Sequence, residues 1–211
     1  MASADSVPRL RVRSPRRALR PLEQLALDIG PARPRWTYSR LVQRSPHRER
    51  IRERLEFVRR FFPELDECAI HVGLAQKRGV LGWGSLDPER PGIWVRPRRL
   101  ESFTIAHELT HLLQARGLVP RGERSCDLWA LARSPMLNDS PPGYLRVPPA
   151  LRARRALEPR EATLLHELAR AAIEARGRGE ARYLNGFERA LAEACGEAPP
   201  PRRRRGGTRA R

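Results

Sequence analysis

The stretch Glu101–Gly117, ESFTIAHELTHLLQARG, constrains this chain more than any other. It contains His107-Glu108-Leu109-Thr110-His111, an H-E-x-x-H pattern. On an α-helix, positions i and i+4 share a face one turn apart, so His107 and His111 can turn two imidazoles toward one metal ion. Glu108 lies about 100° around the helix from His107. There its carboxylate can take a proton from a water that the metal activates. Ile105, Leu109, Leu112 and Leu113 recur at helical spacing, which predicts a helix buried on one side. A buried histidine pair needs partners, and a metal ion supplies them. Ser102 is the expected N-cap, Gly117 the expected C-cap, and Pro120 prevents continuation.

A third protein ligand is needed. Residues 121–132, RGERSCDLWALA, read as a second helix with Glu123 and Asp127 four apart on one face. Glu123 is the first candidate, and Asp127 and Cys126 are the alternatives. Cys126 would make a softer site, but no Cys-x-x-Cys pattern accompanies it. H-E-x-x-H followed by E-x-x-x-D resembles the gluzincin branch of the zincin metallopeptidases. The resemblance spans residues 67–134, and only 11 residues separate His111 from Glu123, which implies a minimal version of that fold. It further implies one Zn(2+) per chain, with Glu123 as the third ligand and Asp127 holding a ligating histidine from behind. Two histidines and one glutamate leave a coordination position open for water.

Composition bounds the rest. A chain of 211 residues can build one ordinary domain with flexible ends. Cys68, Cys126 and Cys195 are few, odd in number and unpatterned, which suits a reducing compartment. No apolar run is long enough for a membrane span, and no secretory signal is visible. A cytoplasmic location is the expectation. The net charge is +18, but residues 1–20 and 196–211 each carry +5 of it. Lys77 is the only lysine, against 41 arginines, a bias more of composition than of chosen contacts. Basic tails attract phosphate backbones without sequence preference, so non-specific nucleic-acid contact through them is the secondary partner expectation.

In chain order, residues 1–35 are rich in proline and arginine and expected to be flexible, with a short apolar patch at 22–29. Ile51, Leu55, Val58 and Phe62 predict an amphipathic helix starting near Pro46. Residues 68–75, 80–86 and 93–96 predict three strands, with a turn at 76–79. Trp83 and Trp94 read as core or sheet-surface aromatics. The proline-rich stretch 134–149 follows the second motif closely and can line a cleft. Its Tyr144 is a candidate donor to a developing oxyanion, or simply pins the loop. Residues 160–177 and 182–195 predict two further helices. His166-Glu167 resembles the metal motif, but Arg170 stands where a second histidine belongs, so no second site is expected. The fold class predicted is α+β and zincin-like, with a small, twisted, mostly antiparallel sheet packed with helices. By the resemblance, an edge strand, 80–86 or 93–96, borders the cleft and pairs with extended substrate. This domain is expected over 36–195, with a disordered basic tail at 196–211.

The resemblance implies a zinc metallopeptidase acting on protein or peptide, with Glu108 as general base. The competing reading is a basic nucleic-acid-associated or regulatory protein whose zinc site is structural or sensory.

Overall fold

The computed structural model describes residues 35–75, 82–87 and 89–197. The expectations for segment 1–34, for turn 76–79 and for tail residues 198–211 lie outside these. Among the described residues, seven α-helices and a four-stranded mixed sheet form an α+β fold. The order is β1 (Trp36–Tyr38), α1 (Arg40–Gln43), α2 (Arg48–Arg59), β2 (Ile70–Leu74), β3 (Gly82–Gly84), β4 (Gly92–Val95), α3 (Ser102–Ala115), α4 (Glu123–Leu131), α5 (Pro149–Arg152), α6 (Pro159–Gly177) and α7 (Tyr183–Ala194). None of the described helices is long and apolar enough to cross a membrane.

The expectation of a mostly antiparallel sheet is wrong. The strand order is β1-β2-β4-β3, with β1–β2 and β2–β4 parallel and only β3–β4 antiparallel. Two pairings are responsible: β4 lies beside β2 and runs parallel to it, leaving β3 on its outer edge, and β1, just after a segment expected to be flexible, adds a second parallel pair. Helices α1 and α2 carry the chain back so that β1 and β2 run the same way, as a helical crossover does. Strand β1 has only three residues, too few to show a period. Arg59 anchors it from a distance. Arg59 is 2% exposed, and its guanidinium lies 5.0 Å over the Trp36 ring and donates to the carbonyls of Arg35 (2.7 Å), Cys68 (2.8 Å) and Leu65.

The apolar stripe of α2 is buried at Ile51, Leu55 and Val58, as its spacing requires. Ile70, Val72, Ile93 and Val95 are likewise fully buried and join the same core as Leu109 and Leu113 of α3. Helix α3 packs on β3, β4, α2 and α4, so the H-E-x-x-H helix occupies the middle of the fold. Its C-terminus closes as expected on Gly117, φ 74°, with Leu118 N–H donating to Leu113 O and Gly117 N–H to Gln114 O. Its N-terminus does not use Ser102 as cap. Ser102 is the first helical residue, and its N–H and that of Phe103 donate to the Asp139 carboxylate at 2.7 and 3.0 Å. A carboxylate satisfies two orphan amides and opposes the helix dipole, so the 36-residue reach displaces the local serine.

Strand β3 crosses α3 at Gly84. A Cβ there would stand 2.7 Å from the backbone oxygen of Glu108 and 3.0 Å from His111 Cβ. Because that oxygen belongs to helix backbone, G84A should push β3 off the helix and cost about 1–3 kcal/mol. A lowered urea midpoint with an unchanged m-value is the expected result. A midpoint equal to that of the wild type would mean β3 does not need this contact.

Candidate metal centre

Helix α3 points the two imidazoles of His107 and His111 at one region, ring centroids 4.8 Å apart and nearly perpendicular. Helix α4 begins at Glu123, whose side chain is half-exposed. Glu123 Oε2 lies 3.2 Å from His107 Nε2 and 3.3 Å from His111 Nε2. Behind the rings each Nδ1 has its own acceptor. His107 Nδ1 is 2.8 Å from Asp127 Oδ1, and His111 Nδ1 is 2.9 Å from Gln114 Oε1. When these Nδ1 atoms carry the protons, both Nε2 lone pairs face the Glu123 oxygen. Three electron-rich atoms then converge with no proton between them, an arrangement a cation relieves.

Two further residues frame the pair. Gln114, 3% exposed, also donates to the carbonyls of Pro120 and Gly122, at 2.8 and 3.0 Å. It thus ties His111 to the turn that delivers Glu123. Gln114 carries no signal in the sequence, because a glutamine at i+3 from a histidine looks like any polar helix position. Asp127 is 1% exposed and uses its second oxygen, Oδ2, to accept from Tyr144 N–H (2.6 Å) and Leu145 N–H (3.1 Å). The proline-rich loop therefore docks on the same carboxylate that orients His107. The Tyr144 ring stacks on His107, centroids 5.5 Å apart and planes 18° from parallel, while 55% of the residue stays exposed. His166 lies away from these residues, its Nδ1 3.1 Å from the Leu131 carbonyl at the end of α4.

His107, His111 and Cys126 place ligand-capable atoms within 4.8 Å of one another and could hold a metal ion. Cys126 and Glu123 are thus both placed to take a third position. The Cys126 thiol is buried and donates to the His107 carbonyl at 3.0 Å. Burial, reinforced by Asp127, Glu108 and Glu123, pushes its pKa well up, so in metal-free protein it is held as the thiol. Glu123 is already turned toward both Nε2 atoms.

Electrostatics follow the same geometry. Burial works to lower the His107 pKa, but the Asp127 hydrogen bond and the carboxylates of Asp127, Glu108 and Glu123 raise it overall. Burial and the neighbouring charge of His107 lower that of His111. Burial lifts Glu108 from 4.5 to about 7, with Glu123 adding and His107 opposing. Glu108 is 5% exposed, and its Oε2 is buried without a hydrogen-bond partner.

That carboxyl has a measurable consequence in metal-free protein. Well below pH 4.5 it is neutral in folded and unfolded chains alike, so it costs nothing. Between pH 4.5 and about 7 the unfolded chain ionises while the folded chain resists, and by the time both are ionised stability has fallen by about 3 kcal/mol. Glu108→Gln should therefore match the wild type at about pH 3.5 and exceed it at about pH 8 in urea unfolding with chelator present. Parallel stability curves for the two proteins would contradict the burial argument.

Comparison with known protein families, with characterised proteins and with solved structures returns no match.

Proposed function

We propose that the chain is a zinc-dependent peptidase of gluzincin type, with His107, His111 and Glu123 holding one zinc ion. The observation that carries this reading is the convergence of three donors beside a buried, unpartnered carboxylate. Tetrahedral coordination at zinc–ligand distances near 2.0–2.1 Å spaces donors roughly 3.3–3.4 Å apart. The 3.2 and 3.3 Å separations at Glu123 Oε2 fit that set with little movement. Held there, zinc supplies a Lewis acid that polarises a carbonyl and makes water acidic near neutral pH.

The chain's own groups do the rest. Glu108 takes a proton from the attacking water and returns it to the leaving amine. Its burial favours this work, since a carboxylate without a partner binds a proton more tightly than one in water. Asp127 and Gln114 hold the two imidazoles by their Nδ1 atoms, so both Nε2 atoms remain donors to the metal. Tyr144, anchored through its backbone N–H and stacked on His107, carries the phenol proposed to donate to the carbonyl oxygen as charge builds on it.

Substrate enters as an extended segment of protein. β3 lies over α3, and its outer edge pairs with no other strand among the described residues. Of the two strands considered for this role, β4 is interior, with neighbours on both sides, so β3 takes it. Unpaired N–H and C=O groups at such an edge can hold a peptide backbone.

A purely structural zinc site is disfavoured by Glu108. Closed structural sites use four ligands and need no base, and burying an unpartnered carboxylate beside one is costly. Incubation of the purified chain with a denatured protein mixture tests the reading. Cleavage should appear with zinc, stop with a chelator and return on adding zinc. Cleavage that ignores the chelator would remove the metal from the mechanism, and absence of cleavage with every mixture would favour a sensory role.

A further inference from the structure

The opposite face of the sheet carries a feature the peptidase reading does not use. Ile70, Val72, Ile93 and Val95 are buried toward the helices, so the alternate positions Thr37, His71, Gly73, Trp94 and Trp83 lie on the other side. That side is open: Thr37 is exposed, and Trp83 is 50% exposed. The Trp94 indole lies flat across two glycines. A Cβ on Gly73 would stand 2.3 Å from its Cδ1 and Nε1, and one on Gly92 would stand 3.1 Å from its Cη2. Trp83 stacks on Trp94, centroids 3.8 Å apart and planes 9° from parallel. Glycine weakens a strand interior, so two glycines here make room for a slab at some expense of stability. The result leaves an indole face in water at the sheet edge, and exposed apolar surface of this kind marks a contact site.

Flatness and charge together select the occupant. A nucleobase stacks on an indole whatever its identity, and the phosphates between bases need cations. The body of the chain is basic apart from its tails, and residues 89–100, which contain Trp94, have four arginines against Glu89. Helices on one face of a four-stranded sheet and stacking aromatics on the other form a general plan for holding unpaired bases. In a duplex the bases are already stacked, and a flat slab cannot reach them. We propose that Trp83, backed by Trp94, is a stacking site for an unpaired nucleobase, so that this sheet face binds single-stranded nucleic acid. It lies across the sheet from the metal centre and does not depend on it.

The test uses the full chain and a short fluorescein-labelled oligothymidylate, with anisotropy read at several salt concentrations beside a duplex of equal length. The single strand should bind more tightly than the duplex. Trp83→Leu, which keeps apolar cover over Trp94 but removes the ring, should weaken single-strand binding about tenfold. Trp83→Phe should keep most of the affinity. The dependence on salt should be the same in all three proteins, because Trp83 meets no phosphate. Tryptophan fluorescence of the wild type should be quenched by the oligonucleotide, a readout that holds even if Trp83→Leu folds poorly. Equal binding by wild type and Trp83→Leu, a preference for duplex, or no quenching would overturn the proposal and leave any binding to bulk charge. Displacement of fluorescence only by a proline-rich peptide would overturn it in favour of a protein partner.

Discussion

Glu108→Gln should keep its zinc and its fold and lose roughly 10²–10⁴-fold in kcat, the range that a positioned general base supplies. The substitution is nearly isosteric and lies one residue from His107, a ligand in the proposed site, in which Glu108 itself takes no position. The unpartnered Oε2 means that no hydrogen bond is broken when the carboxylate becomes an amide. What disappears is a carboxylate able to accept a proton from water near neutral pH, as its lift to about 7 fits it to do. Elemental analysis of zinc and product formation per zinc measure both halves of the statement. An unchanged rate in fully loaded Glu108→Gln would take the base role from Glu108. Loss of zinc together with activity would instead make Glu108 part of the binding set.

The next largest effects separate the third ligand from the residues behind the site. Glu123→Ala should all but abolish zinc binding, because the oxygen that sits 3.2 and 3.3 Å from the two Nε2 atoms is gone. Asp127→Ala should weaken zinc binding or activity by about 10–100-fold, the usual cost of losing an outer partner of a ligating histidine. It should also lower stability, since the Tyr144 and Leu145 amides lose their acceptor, at about 1–3 kcal/mol for each that stays buried. Cys126→Ser should keep its zinc if Glu123 is the third ligand, because the buried thiol is turned to the His107 carbonyl. Titration with a competing chelator ranks the three. Retention by Glu123→Ala with loss in Cys126→Ser would move the third position to Cys126, and loss confined to Asp127→Ala would move it to Asp127.

Much of this site was readable because its parts are local. The spacing of His107 and His111 and of Glu123 and Asp127 is a property of helices, and helices α3 and α4 run where the apolar spacing places them. Residues that serve the site from a distance left no such trace. Gln114 looks like a surface polar residue until the turn before Glu123 folds back onto it. Tyr144 sits in a proline-rich stretch without period, and only the Asp127 carboxylate shows where its backbone is tied.

The sequence alone determined the helix that presents two imidazoles and a carboxylate, because a backbone period of 3.6 residues acts over five positions and needs no other part of the chain. It also determined the existence of β2, β3 and β4 as short extended segments. Tertiary structure decided the direction of the sheet, by setting β4 parallel beside β2 and by adding a three-residue strand held by Arg59 from α2. It decided the cap of α3, where Asp139 outcompetes the adjacent Ser102, and the meeting of Glu123 with both histidines. It decided that Trp94 lies over Gly73 and Gly92 with Trp83 upon it. Each of these is a contact between residues far apart in the chain. Such contacts depend on which surfaces the core brings together, and no local period encodes that.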